Sequence, residues 1–271
     1  MQKADGGYPY ATTDLAAIRD RVGRIGADRL VYVVGQPQTH HFAMVRATAA
    51  DAGWLGEARF QHVAFGTVLG DDRKPLRTRA GSTPALHDLL AEAIARAAAA
   101  LAARGSALPA DEQARVARAI GVGALKYADL SNDRSGDYVF SFDRMLAFEG
   151  DTGPYLQYAI ARIGSIEEKA GDAGGNGAIS LGAPEERRLA LALLGFPRGV
   201  AEALDALEPH RLCRVLHEIA QTYTSFYEAC PVLRAEVPDD VRASRLALSR
   251  ATAATLRLGL GLLGIEAPDR M

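Results

Sequence analysis

Hydrophobic and polar positions divide the chain into a first part with short apolar runs and a longer second part with helical periodicity. RLVYVV (29–34) and FQHVAF (60–65) are β-branched and aromatic runs that end at Gly35 and Gly66. This pattern predicts two strands. Helical patterns precede and separate them, the first from Asp14 to about Arg21 and the second from about Thr39 to Ala52. Strands that alternate with helices in this way predict a parallel sheet with right-handed crossovers.

The helix caps and the later part of the chain complete the predicted architecture. Thr12 or Thr13 is the expected N-cap of the first helix. Tyr138, Phe140 and Phe142 alternate as in an extended segment. Helices are predicted at 84–105, from Pro109 to about Leu130, from near Pro154, and at about 185–195, 198–206, 209–229 and 239–263. We therefore predict an α/β plus all-α protein: an α/β portion at 1–83, a helical connector at 84–130 and a helical bundle at 131–271.

Composition and charge narrow the class of protein. Apolar residues make up 48% of the 271 positions and the formal net charge is −2. This balance argues against a strongly basic protein that coats nucleic acid, but it is compatible with a local basic face. The two cysteines, Cys213 and Cys230, lack the spacing of a metal site or a disulfide framework, so a reducing cytoplasm is expected. No secretion signal, membrane span or protein-bound metal is predicted.

Tyr10 and Asp14 are the first candidate site residues. They lie four positions apart at a helix start and therefore share one helix face. A carboxylate there can bind a guanidinium or ammonium group, with the tyrosine hydroxyl beside it. The alternative is an aspartate that interacts favourably with the helix dipole, next to a core tyrosine.

Gln38, His40 and His41 follow the first strand and form the second candidate group. A glutamine can orient an amine or a carboxylate, and a histidine at a helix N-terminus can contact a nucleotide. The alternative is helix capping by Thr39 beside two surface histidines. Because adjacent histidines face different ways on a helix, a shared metal is not expected.

The segment 66–83 lacks periodicity and is predicted to be a long basic loop after a strand. Its basic residues suit a polyphosphate whose charge shifts in a transition state, and a solvated charged loop is the alternative reading. The loop lacks the spacing of a phosphate-binding P-loop. The residues of interest are Lys74, Arg77, Thr78 and Arg79.

Aromatic and arginine residues alternate on the predicted bundle. Tyr155, Tyr158 and Arg162 fall on one helical stripe, and four more arginines recur on the last helix. Interleaved aromatics and arginines suit unstacked RNA bases and their phosphates. Alternatively, the tyrosines are core-edge residues and the arginine stems cover apolar surface.

Five segments of the chain together resemble one family. DGGYPYATTDLAAIRDR, RLVYVVGQPQTHHF and HVAFGTVLGDDRKPLRTRAGST are similar to the second half of the catalytic domain of class I arginyl-tRNA synthetases. Residues 121–163 resemble the connector of that family, and the segment from CPVLRAE to the terminal Met271 resembles its DALR-type anticodon-binding domain. The resemblance covers essentially the whole chain. It implies a partial Rossmann-like parallel sheet followed by a helical anticodon-binding bundle.

The resemblance also implies roles for the candidate residues. Tyr10, Asp14 and Gln38 are expected to bind arginine, and His41 is expected to lie near the adenosine of ATP. The PLRTRAG segment takes the place of the KMSKS-like loop, with Arg77 where a lysine is usual. A catalytic role is therefore expected for Lys74, Arg77, Thr78 and Arg79. Contact with tRNA is expected for Tyr155, Tyr158, Arg162 and Met271.

The implied function is ATP-dependent attachment of arginine to its tRNA, with Mg²⁺ accompanying ATP. No HIGH-like motif precedes residue 36, so the chain alone is expected to be inactive. The expected partners are arginine, arginine tRNA, and either the missing N-terminal half or a second copy at an exposed sheet, with no membrane or DNA. Two alternatives stay open: a catalytically dead truncated paralogue that binds tRNA, and a scaffold or regulatory subunit.

Overall fold

The computed structural model describes residues 3–76, 85–105, 108–171 and 178–271, which form two compact units. The first unit comprises 3–69 and 134–139, and the second comprises 70–133 and 140–271. Each unit is a set of residues that lie close together in space. The predicted division into 1–83, 84–130 and 131–271 refers to stretches of the sequence, and it stays a prediction.

The described part of the first unit contains two small parallel sheets of two strands each, and helices cover one face of the first of them. It contains α1 (Tyr10–Gly23), β1 (Arg29–Gly35), a 3₁₀ turn (Gln36–Gln38), α2 (Thr39–Asp51), β2 (Arg59–Phe65), β3 (Val68–Leu69) and β4 (Tyr138–Val139). β1 pairs in parallel with β2, and β3 pairs in parallel with β4. The two predicted strands and the helix between them are confirmed. The prediction that Thr12 or Thr13 caps α1 is wrong, because Pro9 is the N-cap residue and its carbonyl accepts the N–H groups of both threonines.

The two faces of the β1–β2 sheet differ in exposure. On one face Leu30 is buried against Ile18, Val45 and Ala49 of α1 and α2. On the other face Val31 and Val33 are 43% and 65% exposed. Within the described part of the chain no third strand lies beside β1 and β2. Val63 of β2, which pairs with Val33 on this second face, is 8% exposed. The apolar composition that made both strands look like interior strands therefore leaves this face open along β1 and only partly open along β2.

The second unit is helical. It contains α3 (Leu86–Ala103), α4 (Ala110–Leu130), α5 (Phe142–Met145), α6 (Gly153–Ala170), α7 (Pro184–Ala206), α8 (Pro209–Ala229) and α9 (Asp239–Leu262). Side chains of α4, α6, α8 and α9 form its main core: Tyr127, Leu156, Ile160, Leu216, Ile219, Leu256 and Leu260. None of the helices in the described ranges is sufficiently long and apolar to cross a membrane.

α7 is continuous where two helices, 185–195 and 198–206, were predicted. Pro197 lies inside it and removes one backbone hydrogen bond. Phe196 is buried, and a Cβ on Gly199 would lie 2.6 Å from Val215 of α8. Close packing on both sides of the proline therefore holds the helix together across it.

The start of α7 carries a buried ion pair. Glu186 Oε1 accepts from Arg245 Nε of α9 at 2.7 Å, and Oε2 accepts from the N–H groups of Gly182 and Ala183. The Arg245 guanidinium also donates to the carbonyl of Pro231. Burial alone would raise the pKa of Glu186, but the Ala183 N–H, Arg245 and the Gly182 N–H together hold that pKa below its ordinary value.

The C-terminal segment after α9 is fastened to earlier helices. Lys126 Nζ of α4 donates to the carbonyl of Gly264. Gln157 Nε2 of α6, which is fully buried, donates to the carbonyls of Ala119 at 3.1 Å and Glu266 at 2.7 Å. One glutamine therefore joins α4, α6 and the C-terminal segment.

The contact between α3 and α4 yields a test of packing. A Cβ on Gly121 of α4 would lie 2.7 Å from the backbone N of Ile94 in α3, so the helices approach too closely for a side chain there. We expect Gly121→Ala to lower the free energy of unfolding by about 1–3 kcal/mol, measured by urea denaturation. Gly195→Ala is the control, because nothing lies within 4 Å of that position in α7. It should stabilise slightly, by roughly 0.5–1 kcal/mol. Equal effects of the two substitutions would contradict the close approach.

Candidate functional site

Asp14 and His41 meet at the carboxyl end of β1. Asp14 lies in the second turn of α1 and His41 in the first turn of α2, and packing of Ile18 against Val45 and Ala49 holds these helices together. His41 Nε2 lies 2.7 Å from Asp14 Oδ2. Their side chains are 30% and 29% exposed, for His41 and Asp14 respectively. Because a carboxylate only accepts hydrogen bonds, His41 Nε2 is the protonated ring nitrogen in this contact.

The pair leaves one carboxylate oxygen available. Oδ2 of Asp14 faces the imidazole, whereas Oδ1 has no hydrogen-bond partner among the described residues. A partly buried carboxylate with a free oxygen suits a planar guanidinium, which donates in a fork. The structure therefore brings together two residues that the sequence had assigned to different ligands.

The other predicted members of this site project into solvent. Tyr10, in the first turn of α1, is 86% exposed. Gln38 is exposed at the N-cap of α2 and makes no capping hydrogen bond. His40 is also exposed. Thr39, the proposed alternative cap, instead donates its hydroxyl to the carbonyl of Gln36 at 2.7 Å.

An aromatic cluster supports the start of α2. Phe42 is buried, and its ring centroid lies 5.0 Å from that of Tyr32, 6.5 Å from that of Phe60 and 5.1 Å from that of His62. His62 Nε2 also lies 3.0 Å from the carbonyl oxygen of Val34. Sequence reasoning missed His62. Its signal was a polar residue at an inward position of the apolar strand FQHVAF.

The predicted KMSKS-like loop is only partly described. Residues 70–74 form a tight turn, in which the N–H of Gly70 donates to the carbonyl of Lys74 at 2.8 Å. Arg73 has a positive φ of 57°. The Lys74 side chain is exposed. Arg77, Thr78 and Arg79 lie outside the described residues, so their predicted role stays a prediction.

A stack of arginine and aromatic side chains lies on the second unit. The guanidinium carbon of Arg162 lies 4.8 Å from the ring centroid of Tyr158 and 5.2 Å from that of Tyr227. Sequence reasoning identified Tyr158 and Arg162 but missed Tyr227, on α8. The stripe of tyrosines at 223 and 227 was the available signal, and it required knowing that α8 lies beside α6.

Tyr155 and Met271 are less available than Tyr158 and Arg162. The Tyr155 hydroxyl lies 3.0 Å from Thr224 Oγ1, and the residue is half-buried. Met271 packs against the core of α3 and α4 formed by Leu101 and Ile120. Their predicted contact with tRNA stays a prediction.

The chain thus combines a parallel sheet, with Asp14 and His41 at a strand end, with a helical unit that carries stacked arginine and aromatic side chains. Residues 1–142 match the family model for the catalytic domain of class I tRNA synthetases (R), and residues 156–271 match the DALR anticodon binding domain. The chain belongs to the class I arginyl-tRNA synthetase family.

Individual relatives agree with this membership. The chain is 55% identical to the arginine–tRNA ligase of Thermobifida fusca and 54% identical to that of Frankia casuarinae, over its full length and over 47% and 46% of theirs. It superposes on Thermus thermophilus arginyl-tRNA synthetase with a TM-score of 0.87 at 31% identity, covering 100% of this chain and 50% of that one. The chain thus spans about half the length of the curated relatives it matches.

Proposed function

We propose that the chain is the arginine-binding and tRNA-binding half of an arginine–tRNA ligase. The Asp14 carboxylate carries this proposal, because it is partly buried, held by His41 at 2.7 Å and left with a free oxygen. Such a group suits the guanidinium of arginine. Tyr10, one helical turn before Asp14, and Gln38, at the N-cap of α2, are both exposed and are proposed to complete the arginine contacts.

ATP is the second proposed small substrate, accompanied by Mg²⁺. It supplies the phosphoric anhydride that activates the arginine carboxylate. Lys74 fits a polyphosphate, since its exposed ammonium has no acceptor among the described residues. Arg77, Thr78 and Arg79 are proposed to add positive charge and a hydroxyl at the same loop. His41 is proposed to contact the adenosine while it orients Asp14.

The partly open face of the β1–β2 sheet supports a requirement for a second segment of polypeptide. Val31, Val33 and Phe65 are 43%, 65% and 45% exposed there. We propose that this face and edge pair with a segment equivalent to the N-terminal part of the relatives, supplied in the same chain or in trans. The free thiols of Cys213 and Cys230 are compatible with a location in the reducing cytoplasm.

Arginine-dependent exchange of pyrophosphate into ATP tests the catalytic proposal. We expect the chain alone to give background exchange, because it spans only about half the length of the ligases that it resembles. Co-expression with the part of the Thermobifida fusca relative that the chain does not span should restore exchange by at least about 100-fold, as a completed electrostatic site would. Exchange by the chain alone would refute the need for a second part, and folded complexes without exchange would refute the catalytic proposal.

A truncated tRNA-binding module is the second candidate. The observation that favours it is Arg162, which lies between two tyrosines and has no carboxylate partner in the described part of the chain. A tRNA-binding module predicts binding of arginine tRNA by the chain alone and no exchange even after complementation. The dependence of affinity on salt should be modest, since the formal net charge is −2.

A further inference from the structure

The stacked surface extends beyond Arg162 to a second arginine, Arg104, at the end of α3. The Arg104 guanidinium carbon lies 3.9 Å from the ring centroid of Phe148 and 5.9 Å from that of Tyr158. The rings of Phe148 and Tyr158 are 6.3 Å apart at 84°. Arginines and rings therefore alternate across the second unit in the order Phe148, Arg104, Tyr158, Arg162, Tyr227.

The backbone of Arg104 is fixed. It is the C-cap residue of α3, and its N–H donates to the carbonyls of Ala100 at 3.3 Å and Leu101 at 3.2 Å. Gly105 then ends the helix with a positive φ of 69°. Leu101 anchors this last turn, since it is 3% exposed in the core that Phe148 also contacts. The guanidinium is thus presented from a hydrogen-bonded helix end.

Arg96, also on α3, is an example of an arginine that lies over an aromatic ring and has a purely structural role. Its guanidinium lies 4.8 Å from the ring centroid of Phe142, and it donates to Glu92 at 2.7 Å and to Asp143 at 2.9 Å. Arg104 and Arg162 differ. Neither has a carboxylate or carbonyl acceptor among the residues that the structure describes, so their N–H donors remain available to an external acceptor.

An arginine near a helix C-terminus also has a simpler explanation. The helix dipole favours a cation there, and the stem can cover apolar surface. Both effects would be satisfied by lysine, and neither requires a guanidinium plane over a ring. The stacked geometry at 3.9 Å and the unpaired donors go beyond them.

We propose that Arg104 and Phe148 extend the RNA-binding surface from the bundle onto the α3–α4 helix pair. Arg104 binds a phosphate of the RNA loop with its available N–H donors, and the Phe148 ring beneath it holds the guanidinium in place. This inference rests on the proposed binding of tRNA. It adds residues outside the matched anticodon-binding range, since Arg104 lies in the catalytic-domain match and Phe148 lies between 142 and 156.

Binding of a transcribed arginine tRNA to the full chain, followed by fluorescence anisotropy at fixed salt, tests the inference. We expect Arg104→Ala and Phe148→Ala each to weaken binding roughly tenfold, the range for loss of one stacked or phosphate contact. Arg104→Lys should recover only part of the affinity, because an ammonium cannot bind bidentately or stack. Arg198→Ala is the matched control, since it removes the same charge from an exposed surface pair with Glu202. It should bind as the unaltered chain does.

Two outcomes separate this inference from the function on which it rests. Unchanged affinity in Arg104→Ala and Arg104→Lys, together with weakened binding in Arg162→Ala, would overturn the inference and leave tRNA binding in place. Failure of the unaltered chain to bind the tRNA would overturn both. A thermal melt of each variant identifies loss of folding, in which case the Arg104→Lys result decides.

Discussion

Glu186→Ala is expected to lower the free energy of unfolding by about 3–5 kcal/mol, the usual cost of removing one partner from a buried ion pair. The substitution leaves the Arg245 guanidinium, whose side chain is 16% exposed, without its carboxylate. It also removes the acceptor for two N–H groups at the start of α7. Urea denaturation at pH 7, followed by circular dichroism, measures the loss.

Glu185→Ala is the matched control for this prediction. Glu185 is the preceding residue in α7 and pairs with Arg188 at a site where the arginine is 61% exposed. A surface pair of this kind contributes about 0–1 kcal/mol, so the control should change little. The double substitution Glu186→Ala with Arg245→Ala should cost less than the sum of the two single ones. Losses of equal size for Glu185→Ala and Glu186→Ala would contradict the role of the buried pair.

Acidification should remove the same stabilisation. Because folding lowers the pKa of Glu186, its contribution is fully present above the ordinary glutamate pKa and is lost as the pH falls through the lowered value. The difference in free energy of unfolding between the unaltered chain and Glu186→Gln should therefore shrink as the pH is lowered from 7 into the acid range. A difference that grows on acidification would contradict the lowered pKa.

Asp14→Asn is expected to weaken the use of arginine at least about 30-fold, measured as kcat/KM for arginine in pyrophosphate exchange by the complemented protein. Removal of one partner from a hydrogen-bonded charge pair costs about 2–5 kcal/mol, and the partial exposure of Asp14 places the effect near the lower end. The amide keeps the size of the side chain but loses the charge that a guanidinium requires. The KM for ATP should change much less.

Asp20→Asn is the control on the same helix. Asp20 pairs with Arg24, whose side chain is 73% exposed, and lies six positions after Asp14 towards the end of α1. It should leave the KM for both substrates unchanged. If Asp14→Asn kept the original kcat/KM for arginine while the complex stayed folded, Asp14 would not be the arginine-binding carboxylate.

Most of the secondary structure was predictable from local patterns in the sequence. The β-branched run 29–34 and the helix that follows Gln38 were predictable, because each depends on neighbours in the sequence. The start of α1 and the continuity of α7 were not. At Pro9 a backbone carbonyl replaces the expected threonine cap, and at Pro197 packing against α8 overrides a local helix breaker.

In the candidate site, too, some features were predictable from the sequence and others depend on packing. Sequence spacing and family resemblance identified Asp14, His41, Tyr158 and Arg162 as individual residues. The pairing of Asp14 with His41 joins positions 27 apart, and the stack joins Arg104, Arg162 and Tyr227 from three helices. Such contacts depend on how helices pack, and no local pattern in the sequence encodes them.

The fastening of the C-terminal segment has a consequence for synthesis on the ribosome. Gly264 and Glu266 lie 138 and 109 positions after Lys126 and Gln157, the residues that bind their carbonyls. The buried Gln157 amide therefore lacks one of its two acceptors until residue 266 has left the ribosome. Until then Gln157 can donate only to Ala119, so we expect the packing of α4 and α6 to be completed in a late folding step that joins distant parts of the chain.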